Sequence, residues 1–183
     1  MIYVFLADGF EETEAIAPID MLRRAGKTVV TVGVTGRVVT GSHGIPVTAD
    51  LIQEELTDFE GTEMIVLPGG MPGTLNEEAS PVVQAAIDYC AARNIWMGAI
   101  CAAPSVLGHK GLLEGKHAVC YTGFEPELSG AILEKTGVVT DGSIVTARGA
   151  GVAVDFGLAL VAALCGSEKC AQIRSSILCD DAE

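Results

Sequence analysis

The chain has 183 residues, 49% of them apolar, and its 24 acidic against 11 basic side chains give a formal net charge of −13. Nucleic-acid binders concentrate basic side chains on one face, so the scattered cations of this chain argue against a nucleic-acid partner. The length fits a single domain, 1–183, and the longest apolar run, 153–165, is shorter than the roughly 20 residues of a membrane span, so we expect a soluble protein without a membrane partner.

Short apolar runs alternate with longer amphipathic stretches, which predicts an α/β fold with a mostly parallel sheet covered by helices on both faces. The predicted strands are Ile2–Ala7, Thr28–Val34, Met64–Leu67, Ile95–Ile100 and Ala118–Tyr121. The predicted helices are Glu14–Ala25, 81–93 after an N-cap at Ser80, and Gly151–Cys165. Two hairpins are predicted, Val38–Thr40 with Ile45–Thr48 and Val138–Thr140 with Ile144–Thr146. We interpret the N-terminus as a core strand and not a signal peptide, and expect a cytoplasmic protein with a frayed acidic tail at 179–183.

The six cysteines, at positions 90, 101, 120, 165, 170 and 179, contain no C-x-x-C pair. A chain of this size folds without disulfide bridges, so we predict free thiols. The three histidines are not spaced among the cysteines as a structural zinc site requires, and we predict no metal site.

Cys101 lies in the most informative stretch, where an apolar strand ends on a cysteine flanked by small residues and followed by Pro104. Small neighbours permit a sharp strand-to-helix turn that exposes the middle side chain, which is the geometry of a nucleophile elbow. A helix N-terminus would stabilise a thiolate there. Buried apolar cysteines are common, but this turn favours a reactive one.

A glycine-rich loop, 68–73, follows the strand Met64–Leu67. Paired glycines let the backbone approach a ligand closely, and the amides of Gly70 and Ala102 could together form an oxyanion hole. A plain turn is an equally good interpretation of the glycines alone.

Glu14 ends an acidic segment, 8–14, that follows the first strand. A carboxylate beside a thiolate is repulsive unless it keeps a proton, so Glu14 could share a proton with Cys101 as a coupled pair. We interpret Glu11 and Glu12 as solvated charges at a helix start.

Arg148 and the glycines after it follow another strand end. The glycines favour helix packing, because no phosphate-binding motif is complete, and Arg148 is either a solvated charge or holds a loop through a bidentate pair. Cys120 is assigned to the core. The histidines are assigned to the surface, because their spacing gives no cysteine-histidine dyad.

These motifs resemble the ThiJ/PfpI superfamily, also called the DJ-one family, over essentially the whole chain. The resemblance is carried, in order, by DGFEETE at 8–14, LPGG at 67–70, AICAAP at 99–104 and TARGAG at 146–151. It implies a flavodoxin-like three-layer sandwich and a homodimer that needs no cofactor. It further implies a reactive Cys101, a protonated Glu14 contacting its sulfur, and oxyanion amides from Gly70 and Ala102.

Three positions depart from the family pattern. PfpI-type peptidases carry a histidine directly after the nucleophile, where this chain has Ala102. The human-like branch has a histidine near the pocket, where this chain has Tyr121, and a hairpin arginine at the dimer face, where this chain has His43. The chain therefore resembles bacterial ThiJ-like members, and we assign Gly69, Tyr121 and Arg148 to the same pocket.

The resemblance implies two functions. The favoured one is a cofactor-independent enzyme of the glyoxalase III or protein deglycase type, in which Cys101 attacks a small carbonyl such as methylglyoxal, or a glycated thiol or amine, and Glu14 moves a proton. The alternative is a redox-sensing or chaperone-like stress protein that works through oxidation of Cys101. A peptidase or amidase is disfavoured because protonation of the leaving amine requires a histidine near the thiol. Thiazole-phosphate biosynthesis is disfavoured because no phosphate-binding motif is complete.

Overall fold

The computed structural model describes residues 1–179 and contains a central seven-stranded sheet; residues 180–183, the end of the predicted frayed tail, lie outside the described residues. In chain order the strands are β1 Ile2–Leu6, β2 Val29–Gly33, β3 Val38–Thr40, β4 Pro46–Thr48, β5 Leu51–Ile52, β6 Met64–Leu67, β7 Trp96–Ile100, β8 His117–Ala118, β9 Ile132–Leu133, β10 Val138–Asp141 and β11 Ile144–Ala147. The order across the central sheet is β10-β11-β7-β6-β1-β2-β5, and only the β10-β11 pair is antiparallel. The pairs β3-β4 and β8-β9 form two small separate sheets.

Helices cover both faces of the sheet, so the predicted three-layer α/β sandwich is confirmed. They are α1 Glu12–Arg24, α2 Gly73–Ala79, α3 Pro81–Arg93, α4 Pro104–His109 and α5 Ala153–Ser176. Successive side chains of β1 alternate between two hydrophobic cores, because side chains point to opposite faces along a strand. Val4 and Leu6 pack with residues of α1 and α5, whereas Phe5 and Ala7 pack with residues of α3 and α4.

The helix boundaries follow local capping. The hydroxyl of Ser80 accepts a hydrogen bond from the N–H of Val83 at 3.3 Å, and α3 starts at Pro81 and ends at Arg93 as predicted. Helix α1 starts two residues earlier than predicted, because the carboxylate of Glu11 caps it by accepting the Glu14 N–H at 2.7 Å. Helix α2 was not predicted. Both predicted hairpins are confirmed, as β3-β4 and β10-β11.

The prediction of a strand over Ala118–Tyr121 was wrong. Only Ala118 lies in a strand, β8, which pairs with β9 outside the central sheet. The N–H of Val119 donates to the hydroxyl of Thr146 at 3.0 Å and not to a neighbouring backbone carbonyl. Val119 and Cys120 are buried although they lie outside the central sheet. Their burial explains why this segment is as apolar as a central strand.

Helix α5 is longer than the predicted helix over Gly151–Cys165. By length and composition alone, the stretch Ala150–Ser176 could cross a membrane. Its helical geometry is broken at Gly166, where φ is 83° and ψ is 167°. Phe156 and Leu160 are fully buried in the core that α5 shares with α1. We therefore interpret α5 as a core helix of the sandwich.

Candidate active site

The candidate site lies at the edge of the central sheet where four adjacent parallel strands end. The order β11-β7-β6-β1 brings together the segments that follow these strands. They carry Arg148, Cys101, the Gly69-Gly70 pair and the acidic segment before α1, all singled out by the sequence. This edge is where open α/β sheets bind their ligands.

Cys101 occupies a sharp turn between β7 and α4. Its φ is 65°, in the left-handed region that non-glycine residues rarely adopt. The turn is held by two hydrogen bonds, from the Cys101 N–H to the Ala147 carbonyl at 2.9 Å and from the Ala103 N–H to the Ile100 carbonyl at 3.0 Å. The side chain is partly exposed, which is the predicted elbow geometry.

Three groups act on the sulfur of Cys101 and change its pKa: the side chain of Glu14 and the backbone N–H groups of Gly70 and Ala102. Glu14 is 1% exposed. One of its carboxylate oxygens accepts the N–H of Gly69 at 3.0 Å, and the N–H of Ala150 also acts to lower the pKa of Glu14. The structure thus brings together the predicted nucleophile, its carboxyl partner and the predicted oxyanion donors, while their catalytic roles stay predictions.

Gly69 is the residue that allows this close approach. A Cβ atom at that position would lie 2.5 Å from both the Cβ of Cys101 and an Oε atom of Glu14. Gly70 has a φ of 95°, and a side chain there would collide with the backbone of Gly9. Both positions therefore require glycine.

Electrostatics couple Glu14 and Cys101. Burial is the main reason that the pKa of Glu14 is raised to about 7, although its hydrogen bonds with Cys101 and Gly69 oppose the rise. Burial, followed by the charge of Glu14, raises the pKa of the Cys101 thiol to about 12, against the lowering by the Gly70 and Ala102 N–H groups. Burial and the charge of Glu14 together therefore outweigh the expected stabilisation of the thiolate by the backbone donors. Once Glu14 takes up a proton, its charge disappears and its O–H can donate to the sulfur, so the pair shares one proton.

Tyr121 and Arg148 border the site. The N–H of Tyr121 donates to the carbonyl of Cys101 at 2.7 Å, and its ring lies beside Gly149. Tyr121 is 53% exposed, and Arg148 is exposed as well. A cavity of about 290 Å³ lies between them and the backbone 149–152. The three residues assigned to the pocket thus have different places: Gly69 lies inside the site, and Tyr121 and Arg148 lie at its rim.

The interpretation of Glu12 as a solvated charge was wrong, whereas Glu11 does cap the helix. The β3-β4 hairpin folds over Glu12, whose carboxylate accepts the backbone N–H of His43 at 2.8 Å and contacts the His43 ring Nδ1 at 2.9 Å. Burial opposes charge on Glu12, but these hydrogen bonds and that from Ile45 lower its pKa to about 2. Glu11, Glu12 and His43 offer ligand atoms within 4.8 Å of one another and are the described residues that could hold a metal ion.

Glu77 was not found by sequence reasoning. It lies on α2, directly after the loop of Gly69 and Gly70, and is 0% exposed. Within the described part of the chain, neither of its carboxylate oxygens has a hydrogen-bond partner, and the same is true of the nearby Thr74 hydroxyl. Burial, together with the charge of Glu14, raises the pKa of Glu77 well above its usual range.

The three histidines are exposed on the surface, as the sequence predicted. His43, His109 and His117 each contact at least one glutamate, with ring nitrogen to carboxylate distances of 2.5 to 2.9 Å. Cys120 is buried in the core, also as predicted, and all six cysteines are free thiols.

Comparison with known proteins places this geometry in a family. The sequence model of the DJ-1/PfpI family matches residues 1–163. The chain is 31% identical to the Parkinson disease protein 7 homolog of Danio rerio, covering 97% of this chain and 96% of that protein. It is 30% identical to a protein of Pyrococcus abyssi named a deglycase, covering 80% and 89%. It spans less than half the length of two Arabidopsis thaliana relatives, Protein DJ-1 homolog A and homolog B.

A solved structure gives the same result. The oxidized DJ-1 of Toxoplasma gondii superimposes with a TM-score of 0.92 at 34% identity, covering 97% of each chain. Sequence and fold agree over nearly the full length. The chain is a member of the DJ-1/PfpI family.

Proposed function

We propose that the protein is a cofactor-independent enzyme that converts small reactive carbonyls, with methylglyoxal as the type substrate, into hydroxy acids. The observation that carries the proposal is the close approach of Glu14 to Cys101 across Gly69, with the N–H groups of Gly70 and Ala102 acting on the same sulfur. A nucleophile, a proton carrier and two donors for a developing oxyanion are the groups that this reaction needs.

The reaction begins with attack of the Cys101 thiolate on the aldehyde carbon. The C–S bond forms, and the carbonyl oxygen becomes an oxyanion that the N–H groups of Gly70 and Ala102 stabilise. Protonated Glu14 gives its proton to this oxygen, which yields a hemithioacetal. Because a pKa of about 7 is close to neutral pH, Glu14 can both donate and accept a proton.

Glu14 as carboxylate then removes the proton from the hemithioacetal carbon and returns it to the adjacent carbon. The product is a thioester of Cys101 with lactic acid. Water hydrolyses the thioester, releases lactate and restores the thiol. The sum is one methylglyoxal and one water giving one lactate and one proton, with no external oxidant or reductant.

The test is lactate formation from methylglyoxal in the absence of glutathione and metal. Thiols bind methylglyoxal reversibly, so product must be counted and not substrate loss. We expect many turnovers per protein chain, abolished in Cys101→Ser. Wild-type lactate no higher than the Cys101→Ser background would overturn the assignment for methylglyoxal.

Oxidation of Cys101 is the second candidate function, and the related protein of Toxoplasma gondii was solved in its oxidized form. A peroxide would convert the thiolate to a sulfenic and then a sulfinic acid, whose oxygens could accept the same N–H groups and the Glu14 proton. The chain would then act as a stress sensor or chaperone. Mass spectrometry after titration with hydrogen peroxide separates the two functions, because oxidation stops at a fixed stoichiometry and turnover does not.

We further propose that the protein works as a homodimer in the reducing cytoplasm. The exposed side chains of Ile16 and Val154 border a hollow of about 560 Å³ together with Ala17 and Met21. Burial of such an apolar surface against a second copy would stabilise a dimer. Ile16→Asp should produce monomers in sedimentation velocity, whereas a wild-type chain that already sediments as a monomer would exclude the dimer.

A further inference from the structure

Arg148 is unusual among the cations of this acidic chain. Seven of the eleven lysines and arginines form ion pairs within residues 1–179. Of the remaining four, Arg93 stacks on the ring of Tyr89. Lys135, Lys169 and Arg148 have no carboxylate partner among the described residues. Two of these three, Lys135 and Arg148, lie in one region beside the candidate site.

Arg148 lines two adjoining cavities. The first, of about 290 Å³, is the cavity against Tyr121 described above. The second, of about 210 Å³, also contains Lys135 and shares Thr122 and Arg148 with the first. A guanidinium group without a partner at the junction of two cavities is available to a ligand that enters either of them.

The first cavity adjoins the candidate active site, although Cys101 and Glu14 do not themselves line it. Its wall includes Tyr121, whose N–H donates to the Cys101 carbonyl, and Ala150, whose N–H acts to lower the pKa of Glu14. Gly149 lies between them, and a Cβ atom there would be 3.8 Å from an oxygen of Glu14. A substrate with its carbonyl at Cys101 would therefore extend past Tyr121 toward Arg148.

The charges around the first cavity favour an anion. Arg148 is the only charged residue among those that line it, and the lining also supplies the Thr122 side chain. Two carboxylates line the second cavity instead, and both are engaged: Glu134 contacts the ring of His117 at 2.6 Å, and Glu125 accepts the N–H of Gly123 at 2.6 Å. The first cavity is therefore the more favourable of the two for an anion, with Lys135 adding positive charge from the second.

We propose that Arg148 binds the carboxylate of the substrate, so that the preferred substrates of this site are 2-oxoaldehydes that carry a carboxylate group. This inference rests on the proposed function and narrows its substrate class. The chemistry is unchanged: R–CO–CHO and water give R–CH(OH)–COO⁻ and a proton. The guanidinium group of arginine matches a carboxylate in a bidentate hydrogen-bonded pair, which would fix the orientation of the substrate between Arg148 and Cys101.

Turnover of two matched aldehydes tests the assignment. The anionic one is 4,5-dioxopentanoate, and the neutral one is 5-methyl-2-oxohexanal, in which an isopropyl group replaces the carboxylate. Loss of a charge-assisted hydrogen bond should lower kcat/KM for the anionic aldehyde about tenfold or more in Arg148→Ala. For Arg148→Ala we expect the loss mainly in KM, and a change of less than about twofold in kcat/KM for the neutral aldehyde. Arg148→Lys should partly restore kcat/KM for the anionic aldehyde. The control Lys169→Ala should have no effect on either aldehyde. Equal losses for both aldehydes, or none, would overturn the proposal.

Alkylation of Cys101 provides a readout that does not depend on turnover. Iodoacetate is anionic and iodoacetamide is neutral, and the ratio of their rates cancels any change in thiolate content. We expect Arg148→Ala to lower this ratio severalfold and Lys169→Ala to leave it unchanged. If no aldehyde is turned over but the ratio falls, the anion site stands and the proposed function fails. If turnover is present but neither the ratio nor the aldehyde preference responds to Arg148→Ala, the anion site is wrong and the proposed function stands.

Discussion

The side chains of Glu14 and Cys101 meet across Gly69 although the two residues are 87 positions apart in the sequence. The contact exists because β1 and β7 flank β6 in the sheet and end at the same edge. It places a carboxyl group with a pKa of about 7 beside a nucleophile. A substitution of Glu14 can therefore test the reactivity of the thiol and the turnover of the substrate separately.

Glu14→Gln should separate these two properties. Glutamine keeps an N–H donor for the sulfur but cannot carry a proton between two carbons of the substrate. We expect lactate formation to fall by about 100-fold or more, because general acid-base catalysis typically contributes 10² to 10⁴-fold. Alkylation of Cys101 by iodoacetamide at pH 7 should change by less than about tenfold. Wild-type turnover in Glu14→Gln would exclude Glu14 as the proton carrier.

Gly69→Ala should destroy the site while preserving the fold. The new Cβ atom would lie 2.5 Å from both Cys101 and Glu14, so the pair must separate. Displacement of reacting groups by about 1 Å can cost 100-fold in rate, and we expect a loss of that order with an unchanged far-UV circular dichroism spectrum. Gly61→Ala is the control, because a Cβ there meets nothing within 4 Å and only its positive φ is strained. Similar activity in the two variants would contradict the steric role of Gly69.

The fold could be predicted because its central strands are apolar runs bounded by turns. Met64–Leu67 and the start of α3 at Pro81 were predicted to the residue, since an apolar run and an N-cap serine are local signals. Ala118–Tyr121 failed because the hydroxyl of Thr146, distant in sequence, takes the N–H of Val119 that a strand would need. A local sequence pattern cannot show that a side chain from another element will accept a backbone N–H.

The residues of the candidate site also divide into those that the sequence could predict and those that it could not. Cys101, Glu14 and Gly70 lie in motifs at strand ends, so sequence and resemblance placed them. Glu12 and Glu77 are acidic residues in polar segments, and nothing local distinguishes them from solvated charges. Their burial arises from tertiary packing, under the β3-β4 hairpin for Glu12 and on α2 for Glu77.

Glu12 should stabilise the fold by anchoring the β3-β4 hairpin to α1. Its carboxylate accepts backbone N–H groups of His43 and Ile45, so Glu12→Gln should lower the free energy of unfolding by about 1–3 kcal/mol at pH 7. His43→Asn should cost less, because the imidazole is largely exposed and the backbone N–H of residue 43 remains. Urea unfolding of both variants measures the difference.

The pH dependence gives a second test of Glu12. Because its pKa is lowered to about 2, the stabilisation is fully present above about pH 4.5 and is lost as the pH falls toward 2. The deficit of Glu12→Gln should therefore shrink on acidification. A deficit that stays constant from pH 7 to pH 3 would show that the charge of Glu12 does not contribute.

Glu77 should destabilise the protein increasingly as the pH rises. A group with a raised pKa keeps its proton in the folded state after the unfolded chain has lost it, so stability falls as the pH rises above about 4.5. Glu77→Gln is neutral at every pH. The free energy of unfolding of Glu77→Gln should therefore increase relative to that of the wild type as the pH rises from 5 to 8.

The comparison of Glu77→Gln with the wild type requires a control for the loss of one negative charge from a chain of net charge −13. Glu54→Gln serves, because Glu54 is exposed and lies outside the site. Urea unfolding at pH 5, 6.5 and 8 should give Glu77→Gln a gain that grows with pH and Glu54→Gln a small change. If the free energies of unfolding of Glu77→Gln and the wild type changed equally with pH, Glu77 would have the same pKa in the folded and the unfolded chain. The carboxyl group would then have to reach water or a polar partner in the folded protein, which its burial on α2 does not provide.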